Sequence, residues 1–296
     1  MTTFLSLLVG GISQGFVLAL IALGFVIVYR ATGVINFAGA AFLLLGTYLV
    51  AILHDSLGFA FAVIVALLAT CTLAALVQVL LVARARDADE GALFILTLGV
   101  NAVLTTLLVQ IMGNDVYPTG DPWGSTVISI GDVTIPLSRV VAIVVCAGLI
   151  GVLLALFRWT TWGLAMRAAA TDREAASVLG VRLDAVALWA WIVGGATAVI
   201  GGIFMTSFPN PGLDSSAAEL ALLAFPVAVI GGLDSVTGAL VAGLTIGTGQ
   251  ALAAGYLHGL PFVGQGLELV LPFLVMFVVL IVRPAGLFGF REIHRV

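Results

Sequence analysis

Three histidines (His54, His258 and His294), two cysteines (Cys71 and Cys146) and fifteen carboxylates carry most of the reactive chemistry of this chain. Their spacing does not assemble a catalytic centre. No two histidines are neighbours, so none has metal-ligand spacing, and neither HExxH nor GxSxG occurs. Both cysteines fall inside apolar runs, where they read as small packing residues rather than as a disulfide or metal pair. All eleven basic residues are arginine. Without lysine there can be no G-x-x-x-x-G-K-[ST] phosphate loop, so this chain has no ATP site of that kind. No catalytic residue, metal ligand or resident cofactor is expected, and nothing points to nucleic acid.

The polar residues inside apolar runs are Gln14, Gln78, Asn101, Gln110, Glu219, Gln250 and Glu268. Ionisable groups at membrane depth are functional candidates by default. Glu219, however, follows Asp214-Ser215-Ser216 at an expected helix start, and Glu268 also opens a run, so both read as carboxylates favoured at helix N-termini.

The other chemically marked stretch is Thr171–Gly180, TDREAASVLG. Thr171 and Glu174 have capping-box spacing, and Gly180 stands where a left-handed C-cap would end the helix. The helix between them is about 12 Å long. Ala175, Val178 and Leu179 share one face, Arg173 and Ser177 the other. So short a helix cannot stand alone in water, so its apolar face must meet the ends of membrane helices or another protein. A helix lying on lipid is the weaker reading, since the face lacks Trp and Phe.

These residues are set in a chain that is 62% hydrophobic and 9% charged, with a mean hydropathy of +1.25. That is too little charge to coat a water-facing surface. Apolar runs at about 6–29, 36–53, 59–83, 92–112, 138–158, 186–207, 217–232, 236–256 and 263–282 are each expected to be membrane helices, about nine in all, with eight to ten allowed. The whole of 1–296 reads as one membrane domain. Arg84 and Arg86, then Arg158, Arg167, Arg173 and Arg182, then Arg283, Arg291 and Arg295 mark cytoplasmic segments, including 159–185 and the C-terminus. The loop 113–137 has three aspartates and no arginine, so it faces outward. The side of the N-terminus stays open. Small-xxx-small pairs at Gly11/Gly15 and Gly243/Gly247, and the smooth run 191–202, promise close helix packing.

Two glycine-rich stretches interrupt the pattern: GVINFAGAAF (33–42) and VIGGLDSVTGALVAG (229–243). Either they are discontinuous helices lining a polar cavity near the midplane, or they are turns at the water boundary.

EAASVLG (174–180) fits the EAA-x-x-x-G signature of ABC importer permeases. With ALIALGFVIVYRATGVINFAGAAFLLLGTYL (19–49), GLAMRAAATDREAASVLGVRLDAV (163–186), VIGGLDSVTGALVAGLTIG (229–247) and the tail VRPAGLFG (282–289), the chain resembles the branched-chain amino acid importer permeases over nearly its whole length. It departs from that pattern at Gly39-Ala40, where the family often has His-Gly, and at 82–91, which lacks the usual Arg-Pro pair.

The resemblance implies an all-α, type II-like ABC importer permease in a bacterial inner membrane. Its short helix would be a coupling helix, Thr171, Glu174, Ala175, Ala176, Ser177, Leu179 and Gly180 docking on an ATPase subunit. Partners would be a second permease, identical or homologous, two ABC ATPases holding ATP and Mg, and an external binding protein. Asn36, Phe37, Gly39, Gly231 and Gly232 would lie near the translocation path. The cargo would be a branched-chain amino acid, or else urea, a short amide or another small solute. An ion-coupled secondary transporter is the rival reading; an intramembrane enzyme lacks its motifs.

Overall fold

Amides in hydrocarbon must be satisfied within the protein, and this chain does so almost entirely with helices. The computed structural model describes residues 2–85, 88–124, 126–130, 133–207, 212–214, 217–256 and 266–289. Helix α1 runs Thr2–Thr32, α2 Gly39–Leu57 and α3 Phe59–Val77, the last continuing through a π-helical turn Gln78–Val82 and a 3-10 turn Ala83–Ala85. Then come α4 (Glu90–Met112), strands β1 (Val127–Ile130) and β2 (Val133–Pro136), α5 (Leu137–Trp159), α6 (Thr161–Thr171) and α7 (Arg173–Val178). The chain ends with α8 (Leu183–Met205), α9 (Ala217–Leu222), α10 (Ala224–Gly231), α11 (Val236–Tyr256) and α12 (Leu267–Val282).

Each expected apolar segment coincides with helix. Among the described residues seven helices are long and apolar enough to cross a membrane, and two shorter apolar ones, Glu219–Gly231 and Leu267–Val282, follow. At 1.5 Å per residue, 217–231 covers only about 22 Å, short of the ~30 Å hydrocarbon core. The arginine clusters that lie within the described residues gather at one end of the bundle, with α6, α7 and the turns after α1 and α10. Arg167 and Asp234 both act electrostatically on Arg30 there. Arg86, Arg291 and Arg295 lie outside the described residues. At the opposite end, Arg139 at the start of α5 donates to the Ser6 carbonyl and accepts from Ser13 Oγ through its own. Helix α1 therefore begins at the end away from the arginine clusters, on the same side as 113–136.

The two glycine pairs meet each other. A Cβ on Gly247 would lie 2.3 Å from the Gly15 amide nitrogen, and one on Gly15 would lie 2.8 Å from Leu244 Cα. Helices α1 and α11 thus touch backbone to backbone, running antiparallel. Lipid gives no hydrophobic drive to helix pairing, so dispersion across such flat faces holds them. The run 191–202 plays the same role three ways: Gly194 faces Val28 and Gly24, Gly195 faces Ala74 of α3, and Gly202 faces Thr47 and Leu43 of α2. Helix α8 is therefore a hub for α1, α2 and α3.

The loop 113–136 holds structure that the sequence did not announce. β1 and β2 form an antiparallel hairpin, pairing Val127 with Pro136 and Ile128 with Ile135. Tyr117 bridges to Leu213. Trp123 stacks on Phe204 at 5.5 Å and meets Phe59 edge-on at 5.5 Å, tying the loop to α8 and α3.

Candidate functional site

The α6–α7 unit is set up by local hydrogen bonds. Thr160 caps α6, its side chain accepting from the Gly163 amide at 3.1 Å. Arg167 donates to the Phe157 carbonyl and so ties α6 back onto the end of α5. The chain breaks at Asp172, whose extended backbone (φ −158°, ψ 109°) separates α6 from α7. Asp172, not Thr171, is the N-cap of α7: its Oδ1 accepts from the Ala175 amide at 2.9 Å. Thr171 is the last residue of α6 and donates to the Arg167 carbonyl, so the N-cap lies one residue later than expected and the Thr171–Glu174 capping box does not form: Ala175, not Glu174, stands three residues after the cap. Aspartate is at least as good a cap as threonine and adds charge beside the helix dipole.

The C-terminus is as expected. Gly180 has φ +84°, and the Gly180 and Val181 amides donate to the Ser177 and Ala176 carbonyls, each at 3.0 Å. This pair of bonds satisfies carbonyls that a helix end otherwise leaves open.

Burial shows which way α7 turns. The seated residue is Ala176, 2% exposed, whereas Val178 and Leu179 are 88% and 82% exposed. Ala175, Glu174 and Ser177 are exposed as well. The face of Ala175, Val178 and Leu179 turns away from the ends of the membrane helices, so of the two surfaces that the sequence allowed for it the bundle is not the one it meets. Arg173 faces the bundle end instead, donating to the Thr32 carbonyl at the end of α1.

Both glycine-rich stretches are turns at the arginine-rich end. After α1, side chains supply the bonds that helix geometry no longer provides: Thr32 Oγ1 accepts from the Val34 amide at 3.2 Å, Thr97 Oγ1 donates to the Ile35 carbonyl at 2.9 Å, and Asn101 Oδ1 accepts from the Ala41 amide at 3.1 Å. Asn36 is 3% exposed, and its Oδ1 is buried without a hydrogen-bond partner. Phe37 sits between Phe94 and Phe225, 5.0 Å from each, and Phe225 also meets Phe25 at 6.1 Å. A Cβ on Gly39 would be 3.9 Å from the Phe25 ring, so Gly39 borders the same aromatic group. Sequence patterning did not single out Phe94, Phe225 or Thr97. Each lies in an apolar run where a phenylalanine or threonine has no distinguishing period.

After α10, the tail returns to close the helix end. The Leu287 and Phe288 amides donate to the Ile230 and Gly231 carbonyls at 2.9 and 3.2 Å. Gly232 (φ +97°) is so close that a Cβ would lie 2.6 Å from the Gly289 nitrogen, and a Cβ on Gly231 would lie 2.4 Å from the Gly238 carbonyl carbon. Two segments some fifty residues apart thus form one knot, which positions Gly231 and Gly232 as buried packing points.

At the opposite end a cavity of about 460 Å³ is bounded by Ser13, Gln14, Arg139, Asp214 and Glu268 among others. Gln14 Nε2 donates to Gln250 Oε1 at 3.2 Å and Gln250 Nε2 to the Glu268 carbonyl at 2.7 Å, a polar chain across α1, α11 and α12. Glu219 and Glu268 both lie in first turns of helices, as their sequence context implies. His54 contacts Asp55 at 3.2 Å; His258 and His294 lie outside the described residues. Among the described residues no cluster of potential metal ligands occurs.

Residues 7–280 match the family described as branched-chain amino acid transport system / permease component. The chain belongs to this family. The permease is 27% identical to the high-affinity branched-chain amino acid transport system permease protein LivH of Salmonella typhimurium, with 99% of this chain and 98% of that protein covered. The permease protein BraD of Pseudomonas aeruginosa is likewise 27% identical over 99% and 98% of the two chains. A probable LivH of Methanocaldococcus jannaschii is 27% identical over 96% and 92%. Among solved structures, PsaBC from Streptococcus pneumoniae in complex with Fab is similar in fold, with a TM-score of 0.51 and 14% identity over 94% of this chain and 91% of that one. Both broken stretches and α7 fall within the matched residues.

Proposed function

We propose that the permease is one membrane subunit of an ABC importer for branched-chain or related amino acids, driven through α7 by a separate ATPase subunit. One observation carries this reading. A double-capped helix is held rigid at the arginine-rich end, with Val178 and Leu179 almost wholly uncovered. An apolar face exposed at water is costly to leave bare and marks an interaction surface. Its chain carries no phosphate-binding loop, so ATP and Mg belong to the partner.

On this reading the arginine-rich end and the C-terminus face the cytoplasm of a bacterial inner membrane. Two permease subunits, identical or homologous, join two ATPases and an external binding protein. Closure of the ATPases moves α7, and Arg173 passes the motion to α1. The cavity near Gln14 and Arg139 receives solute from outside, while Phe25, Phe37, Phe94 and Phe225 close the inner end. Asn36, with its unspent carbonyl, and Gly39 border that closure; Gly231 and Gly232 form the joint beside it. The solute class rests on the names of the relatives.

The test is reconstitution of the permease with its ATPases and binding protein, measuring leucine uptake into proteoliposomes. ATP-dependent uptake is expected. Ion-driven uptake by the permease alone would contradict the reading and favour a secondary transporter.

A further inference from the structure

The outer cavity of about 460 Å³ carries charge of both signs, held in place along one face of α1. Gly10 and Gln14 are a helical turn apart on that face, with a rise of about 6 Å between them. The Arg139 guanidinium lies against Gly10, where any Cβ would run into it, and donates to the Ser6 carbonyl. One turn further in, Gln14 gives its Nε2 to Gln250, and Gln250 gives its own to the Glu268 carbonyl. The cavity therefore holds a guanidinium at the level of Gly10 and, across the Gln14–Gln250 pair, the carboxylate of Glu268.

That carboxylate has no hydrogen bond or ion pair among the described residues, and it is half-buried. An ionised group so placed calls for a counterion. Gln14 Oε1 adds an uncharged acceptor to the same cavity. Asp214, the other carboxylate there, is exposed to water, which solvates it without a counterion. Arg139 can keep the Ser6 carbonyl and still grip a carboxylate, because a guanidinium has five N–H donors. Most of the remaining wall is apolar, with Phe204, Leu220 and Leu223. The volume lies within the roughly 300–1,000 Å³ of small-molecule sites. The ligand that suits all of this has an apolar body with an anionic and a cationic group close together. Urea or a short amide carries neither charge and would leave Glu268 uncompensated.

We propose that this cavity binds an amino acid as its zwitterion. Arg139 takes the α-carboxylate, Glu268 and Gln14 Oε1 take the α-ammonium, and the Phe204 wall takes an apolar side chain. The proposal rests on the transport reading above and, within it, selects amino acids over urea and neutral amides.

The test uses the assembled transporter in nanodiscs, without the binding protein, and a photoactivatable diazirine analogue of leucine, with labelled peptides mapped. Label should fall on peptides of α1, α5 or α12 that border the cavity, and excess leucine should suppress it. On the unaltered transporter, leucinamide lacks the carboxylate and isocaproate the ammonium. Each should compete about tenfold less well than leucine, the low end for one charge-assisted hydrogen bond, and urea should not compete. Arg139→Gln should erase the advantage of leucine over leucinamide, and Glu268→Gln its advantage over isocaproate, each leaving the other preference in place. A merely structural role for either residue would lower labelling without moving those ratios. If a variant assembles poorly, the competition series on the unaltered transporter still decides. Label confined to other parts of the chain, equal competition by all the compounds, or preferences unmoved by both substitutions overturns the proposal. Cavity labelling with these preferences, but no ATP-driven leucine uptake once the binding protein is added, would count against the transport reading alone. ATP-driven uptake with no label in the cavity would count against this site alone.

Discussion

Arg173, the first residue of α7, donates to the carbonyl of Thr32, the last residue of α1. The bond joins the exposed helix to the longest helix of the bundle, whose other face lies on α11 with no side chain between the two backbones. A displacement of α7 therefore has a short, stiff route into the core.

Replacing Arg173 by alanine should break that route without unfolding α7, whose caps are Asp172 and Gly180. ATP hydrolysis by the assembled transporter should persist while uptake falls about tenfold, the low end for one charge-assisted hydrogen bond, as suits a partly exposed site. Both rates would be measured on the same preparation. Parallel loss of both, or loss of neither, would count against the link.

Val178→Asp with Leu179→Asp should leave the permease as stable as before, because those side chains touch little within the chain. Assembly with the ATPases should drop at least tenfold in pull-down titrations. Ala176→Leu should instead lower stability, by about 1–3 kcal/mol for overpacking a buried site. A reversed pattern would mean that α7 seats on the bundle through its Val178–Leu179 face.

Gly247→Leu should be the most damaging of these changes. Its side chain would enter the space of the Gly15 backbone, which cannot yield as a flexible side chain can. The expected result is loss of folded protein from the membrane fraction. Gly249, whose added Cβ would meet only Leu271 at 3.7 Å, should accept alanine with little effect.

Asn101→Leu should lower thermal stability in detergent by about 1–3 kcal/mol, since the Ala41 amide loses its acceptor inside the bundle. Thr97→Val should act on the same turn through the Ile35 carbonyl. Because the two changes share one loop, their effects should be non-additive in a double-mutant cycle.

Legibility in the sequence followed the strength of each local signal. Long apolar runs and arginine placement fixed the helices and the two ends, because in hydrocarbon few other structures satisfy the backbone. Gly180 was readable because a left-handed cap tolerates few residues. The N-cap was misplaced by one residue because Thr171 and Asp172 are both good caps, and only the extended backbone at Asp172 decides between them. The shared face of Ala175, Val178 and Leu179 was readable, but not what it meets: an apolar stripe does not say whether bundle or partner covers it, and tertiary packing seats Ala176 instead. The tail's return onto Gly231, the hairpin in 127–136 and the Phe37 aromatic group are long-range pairings that no local period encodes.

The most direct measurement is site-specific crosslinking from α7. In a chain with Cys71 and Cys146 replaced by alanine, a cysteine at Val178 or Leu179 is joined to introduced cysteines on the ATPase subunit within the intact transporter. The account predicts a crosslink from both positions, and none from a cysteine at Ala176, which is buried. Absence of any crosslink from Val178 and Leu179 in a complex that still imports solute with ATP would contradict it.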